Sequence, residues 1–430
     1  HEKSVTGYSA FNRLFDETMV ALRFKVGGKL LTQEQTLNLM QDPAPAKRKA
    51  AAEALAKTFK ENLRLFTLIT NTLAKDKEIS DRWRGFTDIA DSRHLANRVE
   101  REVVDALAAA VREAYPSISH RYYRLKAGWL GQDALDHWDR NAPLPGMERR
   151  PIGWDEARET VMSANAGFSP RMAEIAGHFF ERNWIDAGVR PGKSPGAFAH
   201  PTVPSAHPYV LINYLGKPRD VMTLAHELGH GVHQRLAAAQ GELLASTPLT
   251  LAETASIFCE TIVQNAALAQ ATGPEKLYVL ETQLLGHAQV VVDIHSRFLF
   301  ERAVFEKRAE RDLTPHELCE LMTQAQRESY GDVLATLHPY MWAVKPHYYG
   351  STFYNYPYTF GLLFGLGLYA QYEQARAEVD RYGKLAEQGW VSQQRIQTER
   401  ASAATATATR STATVWAPTS DRPPGVRNLS

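Results

Sequence analysis

The stretch Asp220–Gln234 reads "DVMTLAHELGHGVHQ". It sets His226 and His230 four residues apart, with Glu227 directly after the first histidine. Apolar residues recur with the same period at Leu224, Leu228, Val232 and Leu236. A period of four is helical, so two faces are defined at once. The leucines and Val232 form a core face, while His226 and His230 share a different face, one turn apart. Asp220 is expected as the N-cap, and the helix is expected to run to Gly241.

Two imidazoles one turn apart can reach a single zinc ion at about 2.0–2.1 Å. Glu227 is then aimed at the open position of the metal, where it can take a proton from water. Two ordinary solvated histidines would show the same spacing. Leu224 and Leu228 argue against that reading, because they turn the polar triplet toward a cleft and away from the core. The pattern His-Glu-x-x-His supplies only two ligands, so a third must come from elsewhere. A histidine ten positions after the first is ruled out, since that position is Leu236. His233 lies only three residues after His230 and reads as a hydrogen-bonded or exposed histidine.

The next helical run, "TPLTLAETASIFCETIVQNAALAQ", is expected to start near Thr250 and has a broad apolar face. Glu253 and Glu260 sit within it, seven residues apart and hence on one side. A carboxylate among so many apolar side chains is costly unless it is paired or binds a metal. Glu253 is therefore assigned as the third ligand, and Glu260 as the acceptor that orients a ligand.

A second cluster lies in "WAVKPHYYGSTFYNYPYTFG", Trp342–Gly361. It gathers His347 with Tyr348, Tyr349, Tyr354, Tyr356 and Tyr358. Such aromatic density usually means core packing. So many polar tips are harder to bury with every donor satisfied, and a wet cleft solves that problem. Neutral Tyr and His donors facing a cleft are suited to holding an oxyanion.

The rest of the chain is consistent with a mainly helical protein. Its 430 residues are 44% hydrophobic and 23% charged, an ordinary globular composition. A net charge of +1, from 49 basic and 48 acidic side chains, creates no field that would favour nucleic acid or a membrane surface. No apolar run reaches transmembrane length, and no signal peptide opens the chain. Cys259 and Cys319 make no disulfide framework, so a reducing cytosol is expected, with both thiols as small apolar side chains. Val99, Val103, Leu107 and Val111 predict one amphipathic helix. A second is predicted over "PAKRKAAAEALAKTFKENLRLFTLIT", with Leu55, Phe59, Leu63 and Phe66 inward. Ser169 with Pro170, and Thr314 with Glu317, mark two further helix starts. Glu275 to Lys307 reads as one or two helices. The clearest strand is "PYVLINYLG", Pro208–Gly216. From residue 389 onward the chain turns to alternating alanine and threonine and then to prolines, a low-complexity tail expected to be disordered.

These motifs resemble the oligoendopeptidase F group of the thimet-oligopeptidase-like zinc peptidases. "LAHELGHGVH", "TLAETASIFCE" and "PHYYGSTFYNYPYTFG" carry the resemblance, which runs to about residue 385. It implies a zincin-like, mainly α fold over residues 1–388, with two lobes around a deep cleft and a small β element beside the active-site helix. It implies one zinc per chain on His226, His230 and Glu253, and Glu227 as general base. His347 and tyrosines of the Tyr354, Tyr356 and Tyr358 group would stabilise the transition state. Substrates would be unfolded oligopeptides cut internally, with "PYVLINYLG" as the edge strand that pairs with their backbone. The resemblance also implies that part of the N-terminal wall and the last helices are missing. Two other readings stay open. One is a zinc carboxypeptidase or dipeptidyl carboxypeptidase, with Lys345 and Arg219 as available cations for a free C-terminus. The other is a truncated remnant that binds peptide without turnover. No residue pattern fixes an oligomeric state.

Overall fold

Helix-forming runs dominate, and the start signals explain where they begin. In the computed structural model, Ser169 caps the helix Pro170–Glu181 by accepting from the Met172 amide, with Pro170 in the first turn. Thr314 and Glu317 close a reciprocal capping box on the helix Pro315–Tyr330. The structure describes residues 2–146 and 151–388, together with residues 395, 397 and 398. Apart from those last three positions, the expected tail over 389–430 lies outside the described residues. The chain divides into two units, His1–Leu362 and Leu363–Ser430. The site and everything that positions it belong to the first.

Among the described residues, three apolar clusters hold that unit. The first centres on the 39-residue helix Pro45–Trp83, whose Leu55, Phe59 and Phe66 point inward as the periodicity requires. They meet Phe15, Phe24, Trp342 and Tyr349. Burying one such aromatic stabilises by about 1.5–3 kcal/mol. The second gathers Tyr122, Tyr123, Val292 and Tyr330, and the third Phe298, Phe305, Phe353 and Tyr356. The stretch from Glu275 to Lys307 is a single helix, Gly273–Glu310, which contributes to all three clusters. No helix among the described residues is long and apolar enough to cross a membrane.

Three sequence expectations shift. In the helix Arg101–Ala114 the buried positions are Val104 and Val111, while Val103 is exposed. The buried stripe follows a three-and-four alternation, and a strict period of four drifts off it. A hairpin at β1 (Phe24–Val26) and β2 (Lys29–Leu31) turns through Gly27 and Gly28, both at positive φ, a Gly-Gly signal the apolar pattern overshadowed. The third shift concerns the strand near Pro208. Only Tyr209–Leu211 (β5) is extended, and it lies at the centre of a three-stranded sheet. Parallel β3 (Ile185–Asp186) flanks it on one side and antiparallel β4 (Phe198–His200) on the other. Both of its edges are therefore paired. The outer strands are β3 and β4, and β4 lies inside the Pro/Gly segment that carries no alternating pattern.

Candidate metal centre and cleft

The site begins with the helix Pro218–Ala237, called here the histidine helix. Lys217 is its N-cap residue and Pro218 its first helical residue. Asp220 lies inside the first turn, where its carboxylate accepts from the amides of Leu215 at 2.8 Å and Lys217 at 3.0 Å. The expected N-cap role thus moves to Lys217, because Pro218 is pre-organised for the first turn and sets the start earlier. Leu224, Leu228 and Val232 are buried. His226 and His230 share the neighbouring face, with ring centroids 4.8 Å apart.

The helix Leu249–Gln270, the glutamate helix, packs closely against it. Gly229 allows this approach: a Cβ there would lie 2.8 Å from Ser256 Cα and 2.9 Å from Cys259 Sγ. Cys259 is the small buried side chain expected, and burial pushes its thiol up to about 12.

Glu253 is fully buried, and its Oε2 lies 3.3 Å from His226 Nε2 and 3.7 Å from His230 Nε2. A tetrahedral ion with ligand bonds of about 2.0–2.1 Å holds its ligand atoms about 3.3–3.4 Å apart. One atom from each of the three residues lies within 4.8 Å of the others, so the donor set fits a zinc ion. The surrounding contacts support that fit. Glu260 Oε1 lies 2.5 Å from His226 Nδ1, so Nδ1–H is held by Glu260 and Nε2 is the ring atom that would bind a metal beside Glu253. Ser256 Oγ donates to Glu253 Oε2 and Tyr354 Oη to Oε1, each at 3.1 Å. Burial raises the Glu253 carboxyl, but His230 and His226 outweigh it and hold it at about 2. Burial also disfavours charge on His226, yet its hydrogen bonds to Glu253 and Glu260 keep it well above the usual histidine range. The Glu253 carboxylate therefore draws positive charge to the point where the three ligand atoms converge, while burial presses His230 down to about 4 and keeps its ring neutral. Asp88, Asp91 and His94 are the other described group close enough to hold an ion, but Asp88 pairs with Arg302 and Asp91 with Arg101.

Glu227 is buried in the same place, with Oε2 lacking any protein partner. Burial pushes its carboxyl up to about 7; Glu253 and Glu260 add to the shift, while His226 and the Ala199 amide oppose it. His233 is buried on the same helix and lines the cavity but is not part of the three-ligand group.

The tyrosines separate cleanly. His347 stacks on Tyr354, with centroids 4.7 Å apart and planes 5° from parallel. Tyr358 lies 5.6 Å from Tyr354, 6.0 Å from His347 and 6.5 Å from the His226 ring. Tyr356 is elsewhere. Its hydroxyl takes a hydrogen bond from Asn97 Nδ2 at 2.7 Å and lies 3.1 Å from His94 Nδ1, in the core beside Phe298. At the start of the helix Tyr356–Glu387, two positions correspond to more than half a turn, so Tyr356 and Tyr358 cannot share a face.

Several residues that build the site escaped the sequence reading. Glu301 is a fully buried carboxylate that accepts from the Phe353 amide at 2.8 Å and from Asn355 Nδ2 at 2.9 Å, clamping both neighbours of Tyr354. Phe353 is held at φ +53°, a conformation that needs such support. Glu301 sits in "SRFLFERAVF", so the argument that found Glu253, an acid in an apolar run, would have found it too. Gly361 lets its helix touch Glu253, since a Cβ there would lie 2.6 Å from the Glu253 carbonyl carbon. Ala199 of β4 accepts from Gln234 Nε2 at 3.3 Å, which ties β4 to the histidine helix.

All these groups except Tyr356 face or support one cavity of about 1690 Å³. His226, Glu227, His230, Glu253, His347, Tyr354 and Tyr358 line it. It is far larger than a small-molecule pocket needs to be and suits an extended ligand.

Comparison with known proteins follows the same outline. Residues 156–389, more than half of the chain, match peptidase family M3. The chain is 25% identical over 357 residues to the chromosomal oligoendopeptidase F of Lactococcus lactis subsp. cremoris, covering 81% of this chain and 59% of that protein. It is 25% identical over 361 residues to oligopeptidase PepF of Bacillus subtilis, covering 82% of this chain and 53% of that protein. The chain thus spans a little over half the length of these relatives. Among solved structures, PZ peptidase A with an inhibitor superposes with a TM-score of 0.73 at 18% identity, over 91% of this chain and 71% of that one. Oligoendopeptidase F from Enterococcus faecium gives 0.59 at 20% identity, over 84% and 60%. At such identities these two structures speak for the fold.

Proposed function

The chain belongs to peptidase family M3, and from that premise we propose that it is a zinc-dependent endopeptidase cutting internal bonds of short, unfolded peptides. The observation that carries this reading is the convergence of His226 Nε2, His230 Nε2 and Glu253 Oε2 in the wall of a cavity of about 1690 Å³. These three atoms would hold the metal. Zinc bound there would supply Lewis acidity, lowering the pKa of water and polarising a carbonyl.

The chain's own groups account for the rest. Glu227 takes the proton from the attacking water and returns it to the leaving amine, a role that its buried Oε2, without a protein partner and in the wall of the same cavity, can fill. Tyr354 and Tyr358 keep their protons, because burial and then the nearby Glu253 raise both phenols. Burial, with Arg297 and Lys345 adding to it, presses His347 down to about 3, so it is a neutral N–H donor. Tyr358 and His347 are the donors for the negative charge that builds on the former carbonyl oxygen, and Tyr354, whose O–H goes to Glu253 Oε1, stands beside them and joins them when it turns from that carboxylate. The substrate-pairing role expected of "PYVLINYLG" has no open edge to use, because β3 and β4 flank β5 on both sides. The cavity admits an extended chain, and a folded protein would not thread it. Two unpaired thiols fit a reducing compartment such as the cytoplasm.

Mass analysis of unlabelled decapeptides after incubation with the zinc-loaded protein tests this reading. Paired fragments from internal cleavage are expected. Stepwise loss of residues from the C-terminus alone, or an intact peptide, would overturn the endopeptidase assignment.

A further inference from the structure

The cavity contains a second charged cluster with its balance unmet. Among the described residues, Asp293 is its single carboxylate in ionic contact. Oδ1 lies 3.1 Å from Arg140 Nη1 and 3.0 Å from Tyr330 Oη, and Oδ2 pairs with Arg297 Nη2. One anion therefore serves two guanidinium groups. Lys345 adds a third cation beside them and, among the described residues, forms no hydrogen bond or ion pair with an acceptor. Arg219 adds a fourth, exposed at the rim. Glu34 senses Arg219 and Lys345 but makes no ion pair with either among the described residues, and its hydrogen bond is to the Gly196 amide at 3.3 Å.

The donors are also unsatisfied one by one. Arg297 Nε is buried with no hydrogen-bond partner, and so is Tyr348 Oη. Their neighbour His347 likewise has a buried Nδ1 without a partner. Buried cations and donors are normally paired, and leaving one unpaired is expensive. Lys345 registers the surplus: Arg297 first, then burial, lowers its ammonium to about 7. Asp293, Arg297, Lys345 and Arg219 line the same cavity as the metal ligands, and Lys345 is two residues from His347. The missing anion must therefore enter through the cleft.

We propose that Arg297 and Lys345, with Arg219 at the rim, form a carboxylate site in the cleft that takes the free C-terminal carboxylate of a short peptide. Arg297 Nε–H and the Lys345 ammonium supply two charge-assisted donors, which suits a planar two-oxygen anion. The terminal carboxylate is favoured over an acidic side chain because every short peptide carries one. Such a site sets how far the bound C-terminus lies from the scissile bond and selects for short substrates. The assignment rests on reading the cavity as a peptide cleft, so its test must not depend on turnover.

The probe is a dye-labelled hexapeptide ending in glycine, made as free acid and as amide. Binding is read by fluorescence anisotropy on zinc-loaded Glu227→Gln protein, in which the peptide stays intact. The free acid is expected to bind at least about tenfold more tightly than the amide. Lys345→Met is expected to bring the acid down to the amide's affinity, and Lys345→Arg to keep the preference. Circular dichroism and zinc content check that each variant is folded, and Lys345→Gln replaces Lys345→Met if the latter is not. Equal binding of acid and amide, or no binding of either, overturns the proposal. So does an amide with glutamate next to its end that binds as tightly as the free acid, since the site would then read side chains. Acid preference without hydrolysis by the native protein would leave the carboxylate site standing and remove the peptidase reading. Hydrolysis without acid preference would do the reverse.

Discussion

The histidine and glutamate helices build one half of the site, and the segment Trp342–Gly361 builds the other, by opposite means. In the first half, helical period does the positioning. His226 and His230 are one turn apart, Glu253 comes from the next helix, and Gly229 lets the two helices meet. In the second half, short irregular turns carry His347 and Tyr354, and tertiary contacts hold them. Glu301, from a helix some fifty positions earlier, grips the backbone on one side of Tyr354 and the Asn355 side chain on the other. A site half made by local geometry tolerates change poorly at its ligands. A site half made by a clamp is vulnerable at a residue that never touches substrate.

The largest expected effect lies in the first half. Glu227→Gln should lower turnover on the order of 10²–10⁴-fold while zinc stays at one per chain, measured by metal analysis and peptide hydrolysis. Next comes a contrast within the second half. Tyr358→Phe removes a donor that faces His226 and His347, and should lower kcat on the order of 10²–10³-fold. Tyr356→Phe should leave kcat unchanged; its effect is the smallest of the set and appears below. Equal losses of activity in the two variants would erase the distinction between them.

Gly361 joins the two halves. Gly361→Ala forces a Cβ to within 2.6 Å of the Glu253 carbonyl carbon, and backbone cannot yield as a side-chain tip can. A loss of about 1–3 kcal/mol in stability is expected, together with weaker zinc retention against a chelator. Gly286→Ala, on a helix with open space around the new Cβ, is the control and should retain zinc normally.

The clamp should show itself through pH. Burial raises the Glu301 carboxyl from 4.5 to about 7, against the pull of the Phe353 amide and Asn355. Between those values the folded chain keeps a proton that the unfolded chain has lost. Its contribution is thus fully present below the unfolded pKa and is lost as pH rises through the folded one. Thermal melts from pH 4.5 to 8 should show a decline of roughly 1–3 kcal/mol that is absent from Glu301→Gln, read as the difference between the two profiles. The smallest effect belongs to Tyr356→Phe, which should cost about 1 kcal/mol of stability through its lost hydrogen bonds to Asn97 and His94.

The two halves also differ in how far the sequence revealed them. His226, Glu227 and His230 could be read directly, because helix spacing converts position into direction. Glu253 was legible because a carboxylate is out of place among Leu251, Ala252 and Ile257. Tyr356 was grouped with Tyr354 and Tyr358 because the boundary between turn and helix, which decides their faces, carries no local signal in "FYNYPYTFG". The sheet was misread for a related reason. "PYVLINYLG" looks like a strand on its own, but whether a strand is central depends on partners, and Ile185–Asp186 and Phe198–His200 are too short to show a pattern. Lys345 and Arg219 were visible as cations, yet only packing against Arg297 shows that their charge is unbalanced.

The central claim is that His226, His230 and Glu253 hold a zinc ion that Glu227 puts to work on peptide bonds. Its most direct test is a single paired measurement on native protein stripped with chelator and then reloaded: zinc content and hydrolysis of a quenched fluorescent oligopeptide. The account predicts that both vanish together on stripping and return together at one zinc per chain. Hydrolysis that persists in the stripped protein, or a zinc-loaded native protein that leaves the peptide intact, would contradict it.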